Sequence, residues 1–301
     1  MTNLLNPNNR LFTLARQARC QPSWLEPIAV VFVILSIVVI PGQMLARLVV
    51  RWIVPPDSES IATPIVQIAI GFLPIYLALW AWLRFSSKRP FQSLGFENKG
   101  ALEKALRGAL VAGLMMAATA GLAIIPGAAV KAGMQTSGVA ALGIGFLTLL
   151  AYLVQGPAEE VLFRGWLLPV IGARYRPLIG VLVSALFFGL AHALNSTAPL
   201  ALANLFLFGV FAALYALAEG GLWGIGAWHA VWNWAQGDLL GFAVSGSTHS
   251  GLFVSIRATG PAIVTGGPFG LEGGMAATAV FLIAIGAIIL LDRRNARRSP
   301  S

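Results

Sequence analysis

Two adjacent carboxylates, Glu159 and Glu160, and an arginine, Arg164, stand within about two helical turns in GPAEEVLFRG, residues 156–165, in the most apolar part of the chain. Further on come His192 in FFGLAHALN and the pair His229 and Asn233 in GAWHAVWNW. A carboxylate whose proton affinity is raised by burial takes a proton from water, while imidazole and amide N–H groups stabilise an oxyanion. An acid, two imidazoles and an amide held together inside a membrane are hydrolytic equipment.

The spacing assigns these residues to helix faces. Glu160 and Arg164 are four apart with the acid first, the better order for a helical ion pair. Glu159 then lies about 100° around the helix, without a local partner and free to act as a base. Pro157 predicts a kink or a restarted helix, which would put both acids in a first turn, where the dipole favours negative charge. Phe188 and His192 share one face, with Asn195 three residues on, and His229 and Asn233 share another. Each residue taken alone has a plainer explanation: a structural salt bridge, a packed histidine, or, for Trp228, Trp232 and Trp234, interfacial anchoring and packing. His249, in a loop, is assigned no role.

The elements that must position these groups follow from composition. Of 301 residues, 57% are hydrophobic and 10% charged, where a soluble domain carries roughly a quarter charged residues. A hydrocarbon core about 30 Å thick needs about 20 apolar residues per helix, and lipid admits only helices or closed barrels. Long uninterrupted apolar runs select helices. The chain is therefore expected to be an all-α membrane protein, a polytopic bundle of about eight transmembrane helices near residues 27–50, 62–83, 106–127, 138–157, 178–196, 199–218, 222–241 and 275–291. It reads as a single integral membrane domain over 1–301 with a catalytic core at 139–241.

The net charge of +9 lies at the flanks of the apolar runs, which argues against a nucleic-acid partner and for membrane lipid. Lys and Arg crowd the opening segment, residues 84–107, residues 174–176 and the closing segment; the positive-inside rule places these, and both termini, in the cytoplasm. The opening residues are polar for too long to be a removed signal peptide, and the first run reads as a retained anchor. The single cysteine, Cys20, leaves no internal disulfide or cysteine metal cluster. The Gly-, Ser- and Thr-rich stretch 242–274 is expected to be an external loop, either functional or loosely ordered. Ionisable groups at membrane depth are costly, and here they are confined to the fourth, fifth and seventh runs. That confinement implies one shared interior site.

EEVLFR (Glu159, Glu160, Arg164), FGLAH (Phe188, His192) and HAVWN (His229, Asn233) resemble, in order, the EExxxR, FxxxH and HxxxN motifs of the CPBP family of intramembrane proteases, which includes CAAX prenyl endopeptidases and bacteriocin-processing, self-immunity and abortive-infection proteins. The resemblance is close over 139–241 and loose over 1–100, and the ending TGGPFGLEGG looks like bacterial members. It implies an eight-helix bundle with a cytoplasm-facing cavity. Glu159 and His192 would activate water, His229 and Asn233 would stabilise the oxyanion, and Glu160, Arg164, Phe188 and Asn195 would support them. The substrate would be a protein or peptide entering from the cytoplasmic side, and the location a multi-pass bacterial plasma membrane. The family has been described both as metalloproteases and as glutamate-dependent proteases. A metal-free site with no cofactor is favoured; the alternative is zinc on His192, His229 and Glu159 or Glu160. Two other functions stand beside proteolysis, a catalytically silent scaffold or immunity protein and a transporter.

Overall fold

The computed structural model describes residues 4–19, 23, 25–53, 62–97, 99–125, 127–133, 138–193, 195, 198–247 and 255–298. A short amphipathic helix, α1 (Arg10–Arg16), precedes the bundle. The bundle is built from α2 (Glu26–Ile53), α3 (Ala62–Trp82), α4 (Ala101–Ile124), α5 (Gly138–Arg174), α6 (Pro177–Ala191), α7 (Pro199–Glu219), α8 (Trp223–Trp234) and α9 (Met275–Arg298). Each predicted run therefore has its helix. Six of them, α2–α5, α7 and α9, are long and apolar enough to cross a membrane. The other two fall short: α6 has 15 residues, about 22 Å at 1.5 Å per residue, and α8 has 12 before a five-residue π segment, Ala235–Leu239. Apolar runs counted by composition do not distinguish a helix that spans from one enclosed by its neighbours.

α5 departs furthest from the sequence reading. It continues through Pro157 and a π segment, Val161–Leu167, to Arg174 without restarting. The proline ring finds room because Gly226 of α8 faces it; a Cβ there would lie 3.2 Å from the ring. Glu159 and Glu160 accordingly end a long regular helix, so the first-turn dipole argument does not apply to them.

Small residues bring the inner helices together. A Cβ on Gly156 would stand 2.6 Å from the Ala230 nitrogen, and one on Gly209 2.6 Å from the Ala185 Cα. Gly108 of α4 lies so close to Gly224 of α8 that no side chain fits between them. These are the close backbone approaches on which membrane helix packing depends. α8 is consequently enclosed by α4 and α5, and Trp228 and Trp232 are fully buried in a cluster with Phe208, Phe211 and Phe281. They pack rather than anchor at an interface. The outward faces remain apolar: Leu102, Leu106, Leu110 and Leu114 form an exposed stripe along α4.

The two ends of the bundle differ. At one end Arg10 pairs with Glu97, Arg107 with Glu219 at 3.6 Å, and Asn9 Nδ2 donates to Leu217 O at 2.9 Å. Arg89 is buried there over the Trp166 ring, and burial pushes its guanidinium down to about 10. The other end carries a two-stranded antiparallel ribbon of β1 (Ala129–Gly133) and β2 (Ser255–Ala258), an addition to the all-helical expectation. Within 242–274, residues 248–254 lie outside the described residues, as does His249. The rest of that stretch is well formed, with β2, a helical turn at Ala262–Thr265 and two 3-10 turns at Gly267–Phe269 and Leu271–Gly273.

Candidate active site

The ion pair expected from the spacing forms at the centre of the bundle. Arg164, fully buried, donates from Nη1 to Glu160 Oε1 at 3.0 Å and from Nη2 to Gly209 O at 3.3 Å, with its guanidinium 4.5 Å from the Phe188 ring centroid. His229 Nδ1 reaches the same Glu160 oxygen at 2.8 Å. Glu160 thus ties α5 to α8, and the missing side chain of Gly156 makes the approach possible. Replacing Glu160 would strand a buried cation and release an imidazole at once.

Glu159 is 7% exposed and has a partner that the sequence reading missed. Gln155, one turn earlier on α5, donates from Nε2 to Glu159 Oε1 at 2.7 Å and accepts from Asn233 Nδ2 at 2.9 Å. The spacing of four residues was legible, but an amide carries no charge to mark it. Glu159 Oε2 has no hydrogen-bond partner among the described residues and lies 3.7 Å from His192 Nε2 and 3.9 Å from His229 Nε2. Gaps of that length suit a bridging water.

The ring orientations are fixed from behind. His192 ends α6, and its Nδ1 lies 2.9 Å from the Phe188 carbonyl; that of His229 faces a carboxylate. Both partners are acceptors, so each Nδ1 carries a hydrogen, and each Nε2 faces Glu159. Phe188 is the hub of the packing: its centroid lies 4.8 Å from that of His192, 6.1 Å from His229 and 4.9 Å from Phe208. Side-chain exposure of 14% at His192 and 10% at Glu159, against 3% at His229, puts the opening on the His192 side. Asn195 stands apart, past the end of α6, where it lines an apolar cavity of about 320 Å³ with Pro199, Ile263 and Phe269.

Two imidazoles and a carboxylate are chemically acceptable zinc ligands. As placed they do not fit: tetrahedral bonds of 2.0–2.1 Å set ligand–ligand edges of about 3.3–3.4 Å, shorter than both observed gaps. Among the described residues no group of three or more His, Cys, Asp or Glu is arranged to hold a metal ion.

A further acid belongs to this region. Glu272, 3% exposed, accepts from Ser245 N at 2.5 Å and Ser245 Oγ at 2.8 Å, both on Oε1. Asn204 Nδ2 donates to the carbonyls of Glu272 and Gly274, each at 2.9 Å, and Thr278 Oγ1 donates to Asn204 Oδ1 at 2.7 Å. Burial pushes the Glu272 carboxyl above its ordinary range, against the Ser245 hydrogen bonds and the charges of His192 and His229. A lone acid in the glycine-rich GLEGG was a signal the sequence offered and the motif reading passed over.

Among curated proteins none matches the chain. Residues 141–235 match the family described as type II CAAX prenyl endopeptidase Rce1-like. That stretch begins on α5 and ends just past Asn233, so it holds Glu159, Glu160, Arg164, His192, His229 and Asn233 together. Residues 141–235 are thus similar to the Rce1-like, type II CAAX prenyl endopeptidase family, and they lie within a multi-pass helical membrane protein.

Proposed function

We propose that the protein is an intramembrane endopeptidase that hydrolyses a peptide bond with glutamate-activated water and without a metal. The observation that carries this reading is the buried Glu159 Oε2, without a hydrogen-bond partner of its own, facing Nε2 of both His192 and His229. A water held between these atoms attacks the substrate carbonyl carbon and gives its proton to Glu159 Oε2, while His192 orients it. Asn233 Nδ2 and His229, the latter as the doubly protonated ring, donate to the oxyanion. When the C–N bond breaks, the proton on Glu159 passes to the leaving amine. Glu160 and Arg164 hold His229 and the end of α5 in register.

The substrate is a protein or peptide and the location a bacterial plasma membrane, a reading supported by the positive flanks of the apolar runs and by the resemblance of the C-terminal stretch to bacterial members. The test is comparison of protein termini in membranes holding the wild type and Glu159→Gln. New termini should appear with the wild type alone and survive chelator treatment of the purified protein. Equal cleavage by Glu159→Gln would overturn the base assignment. Activity lost to chelator and restored by one zinc per chain would replace it with a metal centre.

A further inference from the structure

A groove of about 700 Å³ lies between α4, α7 and α9, apart from the candidate site. Phe211 forms part of its wall and packs from there on Trp228 of α8, at 4.7 Å between ring centroids; the groove borders that helix without sharing a residue with the site. Ala118, Ala218, Ala284 and Ala287 line it with small side chains, and exposed Leu114, Ile283 and Leu291 leave it open to the surroundings of the bundle. Along α4 it runs from Arg107 to Ala118, about 16 Å at 1.5 Å per residue. That is close to half of a hydrocarbon core about 30 Å thick. Such a length and such a lining suit one acyl chain of one leaflet.

The groove is not apolar throughout. α4 begins, and α7 and α9 end, at the same end of the bundle, which sets Arg107, Tyr215, Glu219 and Asp292 around one mouth. Glu219 is already partnered: Gly224 N donates to its Oε1 at 2.8 Å, and Arg107 Nη2 lies 3.6 Å from its Oε2. The second distance is longer than a hydrogen bond, and the Arg107 side chain, 53% exposed, keeps donors for an incoming acceptor. Asp292 is different. Its carboxylate makes no hydrogen bond or ion pair among the described residues, and its Oδ2 is buried. Arg293, Arg294 and Arg297 do not answer it, since they border a separate hollow with Leu290.

We propose that this groove binds a membrane phospholipid whose headgroup carries a primary ammonium, a phosphatidylethanolamine. One acyl chain lies along α4 and α9, the phosphate accepts from Arg107, and the ammonium donates to Asp292. The charges at the mouth select this headgroup. A quaternary ammonium has no N–H to give the buried oxygen, and an anionic headgroup brings no cation to Asp292. The inference does not depend on the proposed peptidase activity.

The test uses the full chain purified in detergent, to which dioleoyl phosphatidylethanolamine, phosphatidylcholine or phosphatidylglycerol is added. Bound lipid is counted by native mass spectrometry and the melting temperature is followed. Phosphatidylethanolamine should bind about tenfold more tightly than either of the others, the scale of one hydrogen bond to a charged group, and should raise Tm as a ligand of the native state does. Asp292→Ala should reduce that preference to about twofold or less with the lipid-free Tm unchanged. Arg107→Gln should weaken all three phospholipids alike. Equal binding of phosphatidylethanolamine and phosphatidylcholine by the wild type, or an undiminished preference in Asp292→Ala, would overturn the proposal. If Asp292→Ala does not fold, Ala118→Phe, which fills the groove from an exposed position on α4, should abolish the tight binding, and its retention would count equally against the site. A lipid-free wild-type dimer that Ala118→Phe dissociates would make a second copy of the chain the occupant and refute the lipid.

Discussion

At the scale of single residues, the two neighbouring glutamates differ by what each touches. Each keeps one oxygen without a hydrogen-bond partner, but Glu160 is closed in by Arg164 and His229 with no exposure, whereas Glu159 Oε2 faces the Nε2 atoms of both histidines. Glu160→Gln should leave the guanidinium of Arg164 without its counter-charge, at a cost of about 3–5 kcal/mol. Thermal melting in detergent checks this, and an unchanged transition would refute the structural role. Asn233→Ala should raise the barrier by about 2.7–4 kcal/mol, as for loss of one oxyanion donor, and appear in kcat rather than KM. Because Asn233 also donates to Gln155, Gln155→Ala should reproduce part of that loss. Full activity in Gln155→Ala would show that Glu159 needs no support from behind.

At the scale of elements, the site depends on α5 and α8 lying almost backbone to backbone. Gly156→Val should force them apart, lowering both melting temperature and activity; overpacking of this kind costs about 1–3 kcal/mol. Gly113→Val is the control, since a Cβ there meets nothing within 4 Å. Equal behaviour of the two variants would mean that the crossing is not what positions His229. The helices and the Glu160–Arg164 pair were legible in the sequence because apolar length and four-residue spacing are local. The continuation of α5 past Pro157 was not, since it depends on a glycine 69 positions later in the chain, Gly226. The β1–β2 ribbon and the Ser245–Glu272 contact likewise join segments whose pairing no local pattern records. The tryptophans of α8 were read by type; their neighbours decided their place.

At the scale of the whole molecule, Arg10, Arg89, Arg107 and the α7–α8 turn gather at one end of the bundle and the β ribbon at the other. With the positive end inward, reporters fused before residue 20 and at residue 301 should behave as cytoplasmic, and one inserted within 245–265 as external. An external carboxyl-terminal reporter would show that α9 does not return to the starting side. The clasp of Asn204 on the carbonyls of Glu272 and Gly274 also bears on the order in which the protein becomes complete during synthesis. Glu159, His192, His229 and Asn233 all leave the ribosome before Glu272, so a nascent chain carries its acids and imidazoles for tens of residues before the segment bearing Glu272 exists. The hydrogen bond that Thr278 donates to Asn204 comes later still, from the first turn of the last helix. The candidate site is thereby kept unfinished until late in the synthesis of the chain.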